Sequence, residues 1–177
     1  MLDIVEVVRH GNVNIAFVSA YICTTRREHF PTEFTKEEKE EFLQKNQKKE
    51  NGTRYGWFDL VMLRKIIKKK NIQELGISHL EELGKLPIQL ICTHYKQGMK
   101  IIKNATGDIS NCKPIYHTFF GSWDMKGCNR WSKIPDRAQY YMDYISRQLG
   151  IPVKYVKLSS SKHKIIQMQE KNHNNGV

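Results

Sequence analysis

Apolar residues fall along this chain in short runs of two different periods, so strands and helices both have to be accommodated. Val13 to Cys23 is the most apolar stretch near the start. It is too short, and too poorly followed by small residues, to read as a cleaved leader, and it predicts a buried strand or helix segment. Thr24 to Glu33 has no period and contains Pro31, which predicts a loop. Thr35 to Lys49 is rich in helix formers. Thr35 stands three residues before Glu38, the spacing of a capping box, and the only apolar positions are Phe42 and Leu43. That pattern predicts a weakly anchored surface helix. Asn51 and Gly52 mark a turn, after which Trp57, Leu60, Val61, Arg64 and Ile67 recur at helical spacing up to Lys70.

Beyond it, Glu74 to Lys85 predicts a short strand or turn and a helical piece, and Pro87 to Tyr95 a strand with Ile88, Leu90 and Cys92 on one face. Lys96 to Lys113 reads as a hairpin and loop, Ile115 to Phe120 as a strand, and Gly121 to Lys133 as a loop. Pro135 to Leu149 is the clearest helix. Ala138, Tyr141, Met142, Ile145 and Leu149 form its stripe, and Gly150 stops it. Val153 to Leu158 and Lys164 to Met168 are strands, and the last nine residues are expected to fray. The order is that of an α/β protein with a mixed sheet and flanking helices. It divides into an N-terminal arm over 1–50, an α/β region over 51–168 and a disordered tail over 169–177.

Charge sharpens this picture. The 177 residues carry a net charge of +11. Residues 1–88 hold 15 basic and 13 acidic side chains, and residues 89–177 hold 14 and 5, so +9 of the excess lies in the second half. Such a surface suits polyanions, and a basic α/β binding module for nucleic acid or a nucleotide is one reading of the chain. The lysines at 68–70 close a helix, where its dipole favours cations. No apolar run approaches the roughly 20 residues of a membrane span. Cys23, Cys92, Cys112 and Cys128 are widely spaced, which fits reduced thiols in a cytoplasmic protein better than a disulfide framework. The seven histidines show no metal-ligand spacing, and neither a GxxxxGK[ST] loop nor a nucleophile motif occurs.

Thr24-Thr25-Arg26 with Phe30-Pro31-Thr32-Glu33, Gly56-Trp57-Phe58-Asp59 and Gly150-Ile151-Pro152-Val153, read in order with the segments between them, resemble the C-terminal part of adenylosuccinate synthetases. Thr24-Thr25-Arg26 followed by Phe30-Pro31-Thr32-Glu33 is similar to that family's TTRVGxGxFPTE. Gly56-Trp57-Phe58-Asp59, with Leu60, Leu63 and Arg64 behind it, is similar to GWFDxxxLR. Ile77-Ser78-His79-Leu80-Glu81 stands where the family has LTKLD, ahead of a strand ending Cys92-Thr93-His94-Tyr95. Lys113-Pro114-Ile115-Tyr116 and Gly121-Ser122-Trp123 follow, then Trp131, Pro135, Ala138, Tyr141 and Ile145, and Gly150-Ile151-Pro152-Val153. The resemblance runs from about Asn14 to Met168.

That resemblance implies an origin in AMP biosynthesis, where the family joins IMP to aspartate at the expense of GTP with Mg²⁺. The family's phosphate loop, metal site and general base belong to its N-terminal half. The resemblance therefore implies a chain inactive alone, completed by a separate N-terminal half or by a homodimer. Its guanine contacts would fall on His79 and Glu81, where the family has lysine and aspartate, and on Ser159 and Ser160 of the last loop. Its IMP and aspartate contacts would fall on Asn51, Gly52, Thr53 and Arg54. Since Val13–Cys23 packs near the absent half in the family, it is expected to expose apolar surface here.

Overall fold

A computed structural model describes residues 5–158 and 165–168. In chain order it contains β1 (Val5–His10), β2 (Val13–Ser19), β3 (Ile22–Thr24), α1 (Lys36–Lys45), β4 (Arg54–Gly56), β5 (Phe58–Asp59), α2 (Leu60–Lys70), β6 (Glu74–Ser78) and α3 (Leu80–Leu83). These are followed by β7 (Ile88–Gln97), β8 (Lys100–Ile102), β9 (Lys113–Phe120), α4 (Asp136–Leu149), β10 (Val153–Lys157) and β11 (Ile165–Gln167). The main sheet has the order β1-β2-β6-β10-β11. Its three inner strands, β2, β6 and β10, run parallel, and an antiparallel strand closes each side. A second sheet joins β5, β7, β8 and β9, and β3 pairs with β4.

The Val13–Cys23 segment corrects one expectation. Ile15, Ala16, Val18, Ala20, Tyr21 and Ile22 are all buried within this chain. β1, which hydrophobic periodicity did not single out, flanks β2 as an antiparallel hairpin, and β6 covers its other side. The expected exposed apolar face is therefore absent from this segment. The boundary expected at residue 50 also falls between strands of one sheet, because β2 (13–19) pairs with β6 (74–78).

Besides a smaller cluster of Val61, Cys92, Tyr95, Ala105 and Cys112, a main core runs through the molecule. It takes Phe42 from α1, Leu60 and Leu63 from α2, Leu75 and Ile77 from β6, Tyr141, Met142 and Ile145 from α4, and Val156 from β10. The α4 stripe is the predicted one, and Gly150 ends the helix at φ 71°, where a side chain would be strained. The α1 expectation needs correcting. Its capping box forms as predicted, but Phe42 is fully buried among the rings of Tyr21, Phe34 and Tyr55, so one large side chain anchors the helix firmly. The α2 helix begins at Leu60, three residues later than its periodicity suggests. The Asp59 carboxylate accepts from the amides of Val61 and Met62 at 2.9 and 3.1 Å and sets the start. On β7, Ile91 and Cys92 are buried while Ile88 is 43% exposed, so the face expected to hold Ile88 with Cys92 is only partly covered.

Candidate functional site

The carboxyl ends of β2, β6 and β10 emerge along one edge of the main sheet, the position where open α/β sheets bind ligands. His79 stands there, directly after β6. Its backbone is left-handed at φ 61°, which turns the chain sharply into α3. The imidazole Nδ1 lies 3.5 Å from Glu82 Oε1, and the ring centroid is 5.8 Å from that of Tyr21. Glu81, in the first turn of α3, is half-buried. Ser159 and Ser160 lie outside the described residues; β10 ends just before them, beside Ser78.

Glu82, which sequence reasoning missed, is the centre of the charged network at this edge. Lys48 Nζ sits 2.6 Å from its carboxylate, and the Tyr21 hydroxyl donates to the same oxygen. Burial alone would push the carboxyl up. Hydrogen bonds from His79, Lys48 and Tyr21 overcome that and hold it down at about 2. The same carboxylate and burial push the Tyr21 phenol far up. The signal in the sequence is faint: Tyr21, Lys48 and Glu82 share no motif and are 27 to 61 positions apart.

The turn at 51–54 is held from within. Asn51 Oδ1 accepts from the Thr53 amide at 3.1 Å, and Glu50 Oε1 accepts from the Gly52 amide at 2.9 Å, where φ is 77°. Thr53 is buried. Arg54 follows, and its guanidinium is directed into the chain. Nε donates to Glu33 Oε1 at 2.6 Å, Nη2 donates to Glu33 Oε2, and Nη1 donates to the carbonyls of Arg26 and Glu28 at 2.8 Å each. The group also lies 4.9 Å from the centre of the Phe30 ring. Arg54 thus fastens the 26–33 loop in a bidentate fork, with the Glu33 hydrogen bonds holding its pKa up. Gly56 completes the junction: a Cβ there would sit 2.5 Å from Phe30 and 2.6 Å from the Thr32 carbonyl oxygen.

The remaining motifs have equally local reasons. Trp57 Nε1 donates to Glu38 at 3.1 Å, and Trp123 Nε1 donates to the Leu80 carbonyl at 2.9 Å. Asp59 is buried beneath Tyr95, whose hydroxyl donates to it. Burial pushes the Asp59 carboxyl up to about 6, against the pull of Tyr95 and the two helix amides. The structure therefore brings His79 to the same edge as Tyr21 and Lys48, and brings Arg54 to Glu33. Among the described residues there is no group of three or more His, Cys, Asp or Glu side chains placed to hold a metal ion. All four cysteines are free thiols, and Cys23 alone is exposed. No helix among the described residues is long and apolar enough to cross a membrane.

The comparisons with known proteins agree on one family. A profile of adenylosuccinate synthetases matches residues 7–166. Adenylosuccinate synthetase 2 of Methanosarcina acetivorans is 31% identical over 157 residues, which are 84% of this chain and 37% of that protein. The synthetase of Halothermothrix orenii is 26% identical over 165 residues, 88% of this chain and 38% of its own length. The solved structure of the fully ligated synthetase from Plasmodium falciparum superposes with a TM-score of 0.77 at 20% identity, covering 92% of this chain and 42% of that one. The chain belongs to the adenylosuccinate synthetase family. It spans well under half the length of the relatives it matches.

Proposed function

We propose that this chain is an adenylosuccinate synthetase-like protein of purine nucleotide biosynthesis that does not by itself ligate IMP and aspartate. The observation that carries this reading is Arg54. In the family's reaction a cation is required near the carboxylates of aspartate, and the resemblance assigns that region to Asn51–Arg54. Here four of the five guanidinium N–H donors bind Glu33 and two backbone carbonyls. Recruiting Arg54 to a ligand would release the 26–33 loop and leave Glu33 without its partner.

Guanine contact on this reading belongs to His79 and Glu81, at the carboxyl ends of the parallel strands. The Glu81 carboxylate has the acceptor chemistry that a guanine N1–H and amino group demand, and the His79 imidazole is a flat partner for a base. No phosphoryl-transfer step is assigned to this chain's residues, since the resemblance places the family's phosphate loop, metal site and general base in the half that this chain does not match. The test is product formation: purified chain with IMP, GTP, aspartate and Mg²⁺ is expected to yield no adenylosuccinate above a protein-free control. Product that scales with the amount of chain overturns the reading.

A further inference from the structure

Along one edge of β7, β5 pairs at Ile91 and Cys92 and β8 pairs from Tyr95 to Gln97, which leaves Thr93 and His94 in the gap between them. Arg64 of α2 fills that gap. Its Nη1 donates to the carbonyls of Thr93 and Lys103 at 2.9 and 3.1 Å. A guanidinium has further N–H groups on Nε and Nη2. Both of those atoms are buried, and among the described residues neither has a hydrogen-bond partner. They form an edge of the group that can grip an oxyanion in two parallel bonds. Native structures seldom leave buried donors unpaired, and charged ones least of all.

The surroundings bring more positive charge and no available carboxylate. His94 is half-buried, and burial first, then the charges of Arg64 and Lys103, push its pKa down. Its cross-strand neighbour on β9 is the uncharged Ile115, and Lys103 is exposed. From α4, Tyr144, stacked on His117 with ring centroids 4.3 Å apart, lies within electrostatic reach of Arg64. The carboxylates of this region are engaged elsewhere. Asp59 accepts from Tyr95 and from the amides of Val61 and Met62. Asp108, the only acidic residue between Glu82 and Asp124, accepts from the amide and hydroxyl of Ser110. Two cations and an imidazole therefore converge where the chain supplies no partner for the Nε–Nη2 edge.

We propose that Arg64, His94 and Lys103 form a binding site for a tetrahedral oxyanion, phosphate as the free ion or as the end of a small phosphate ester. The Nε–Nη2 edge of Arg64 donates to two of its oxygens, and the Lys103 ammonium supplies a second charge. The tautomer of His94 follows from its neighbours. The Thr93 hydroxyl donates to the Ile115 carbonyl at 3.2 Å, so it is Nδ1–H of His94 that donates to Thr93 Oγ1, at 3.1 Å, and Nε2 holds the lone pair. A proton taken from solvent at Nε2 adds a third positive charge once the anion is seated. A dianion answers this charge, whereas a single carboxylate leaves most of it uncompensated. Nε and Nη2 are covered, so the anion enters as the side chains around them part. The site shares no residue with the His79 edge or the 51–54 turn and does not depend on how those are read.

Isothermal titration of the intact chain at constant ionic strength tests the proposal, with inorganic phosphate, glycerol phosphate and sulfate, a dianion that does not itself titrate near neutrality. The expected result is one saturable site for phosphate and for sulfate, with Kd at or below about 1 mM, and none for chloride. Equal affinity for glycerol phosphate assigns the site to phosphate esters; affinity at least about tenfold lower assigns it to the free ion. Sulfate is expected to bind more tightly as pH falls from about 8 to 6, with uptake of a proton that His94→Gln abolishes. Lys103→Gln, at an exposed position, is expected to weaken binding about threefold, and Arg64→Met at least about tenfold. Because Arg64→Met also strips two carbonyls of their donor, the NMR signal of the Arg64 Nε–H in the unmodified chain gives a readout free of folding defects, and it is expected to shift as sulfate saturates. No saturable binding up to about 10 mM overturns the proposal. So does binding that leaves the Arg64 signal unmoved, or that His94→Gln and Lys103→Gln leave unchanged, which identifies an adventitious ion only.

Discussion

Arg54 and Asp59 show how differently two motif residues are employed. Arg54 spends its fork on Glu33 and the 26–28 carbonyls, so its charge alone is not what the loop needs. Arg54→Lys keeps the cation and loses the planar fork. It is expected to destabilise the chain by about 1–2 kcal/mol in urea titration and to speed trypsin cleavage at Arg26 and Arg27. Unchanged cleavage would contradict the anchoring role. Asp59 acts through burial. Its pKa of about 6 in the fold lies above the ordinary aspartate value, so the folded state holds the extra proton between roughly pH 4 and 6. Stability from this group falls as pH rises through that window, by about 3 kcal/mol in total. Glu82 has the opposite sign. Its pKa near 2 makes its contribution full above the ordinary glutamate value and lost as pH falls toward 2. Urea midpoints for Asp59→Asn are expected to lose the decline from pH 4 to 6 and keep the loss below pH 4. A variant with the parent's profile across pH 4–6 would refute the assignment. Motif reading located Asp59 and Arg54 but not their partners, because Tyr95 and Glu33 are brought in by strand pairing that leaves no mark at local spacing.

Element by element, periodicity did best where one face meets one core. The α4 stripe from Ala138 to Ile145 is buried as its spacing predicts, and the capping box of α1 forms around Thr35 and Glu38. It failed where a single residue anchors an element. α1 presents two apolar positions, and nothing in a count of two says that Phe42 enters an aromatic cluster with Tyr21, Phe34 and Tyr55. Phe42→Ala is expected to remove about 3–5 kcal/mol, far more than loss of a surface helix contact. A change under about 1 kcal/mol in chemical denaturation would restore the weakly anchored reading. β1 was missed for a related reason: Glu6, Arg9 and His10 mask its valines, and its role as the flank of β2 is a property of the sheet.

For the whole molecule, the family and the α/β class were readable from motifs kept in order across most of the chain, and the fold agrees. How the segments close on one another was not. The segment expected to wait for a partner, Val13–Cys23, is covered by β1 and β6 of the same chain. The loops that resemble ligand contacts are stitched internally, by Glu33 to Arg54, by Glu50 to the Gly52 amide and Lys39, and by Glu82 to Lys48. The central claim is that these internal bonds leave a family member that does not complete the ligation alone. Its most direct measurement is a single-turnover assay with the chain in excess over labelled aspartate, in the presence of IMP, GTP and Mg²⁺. The account predicts that all label remains in aspartate; conversion of even a small fraction to adenylosuccinate, absent in the protein-free control, would contradict it.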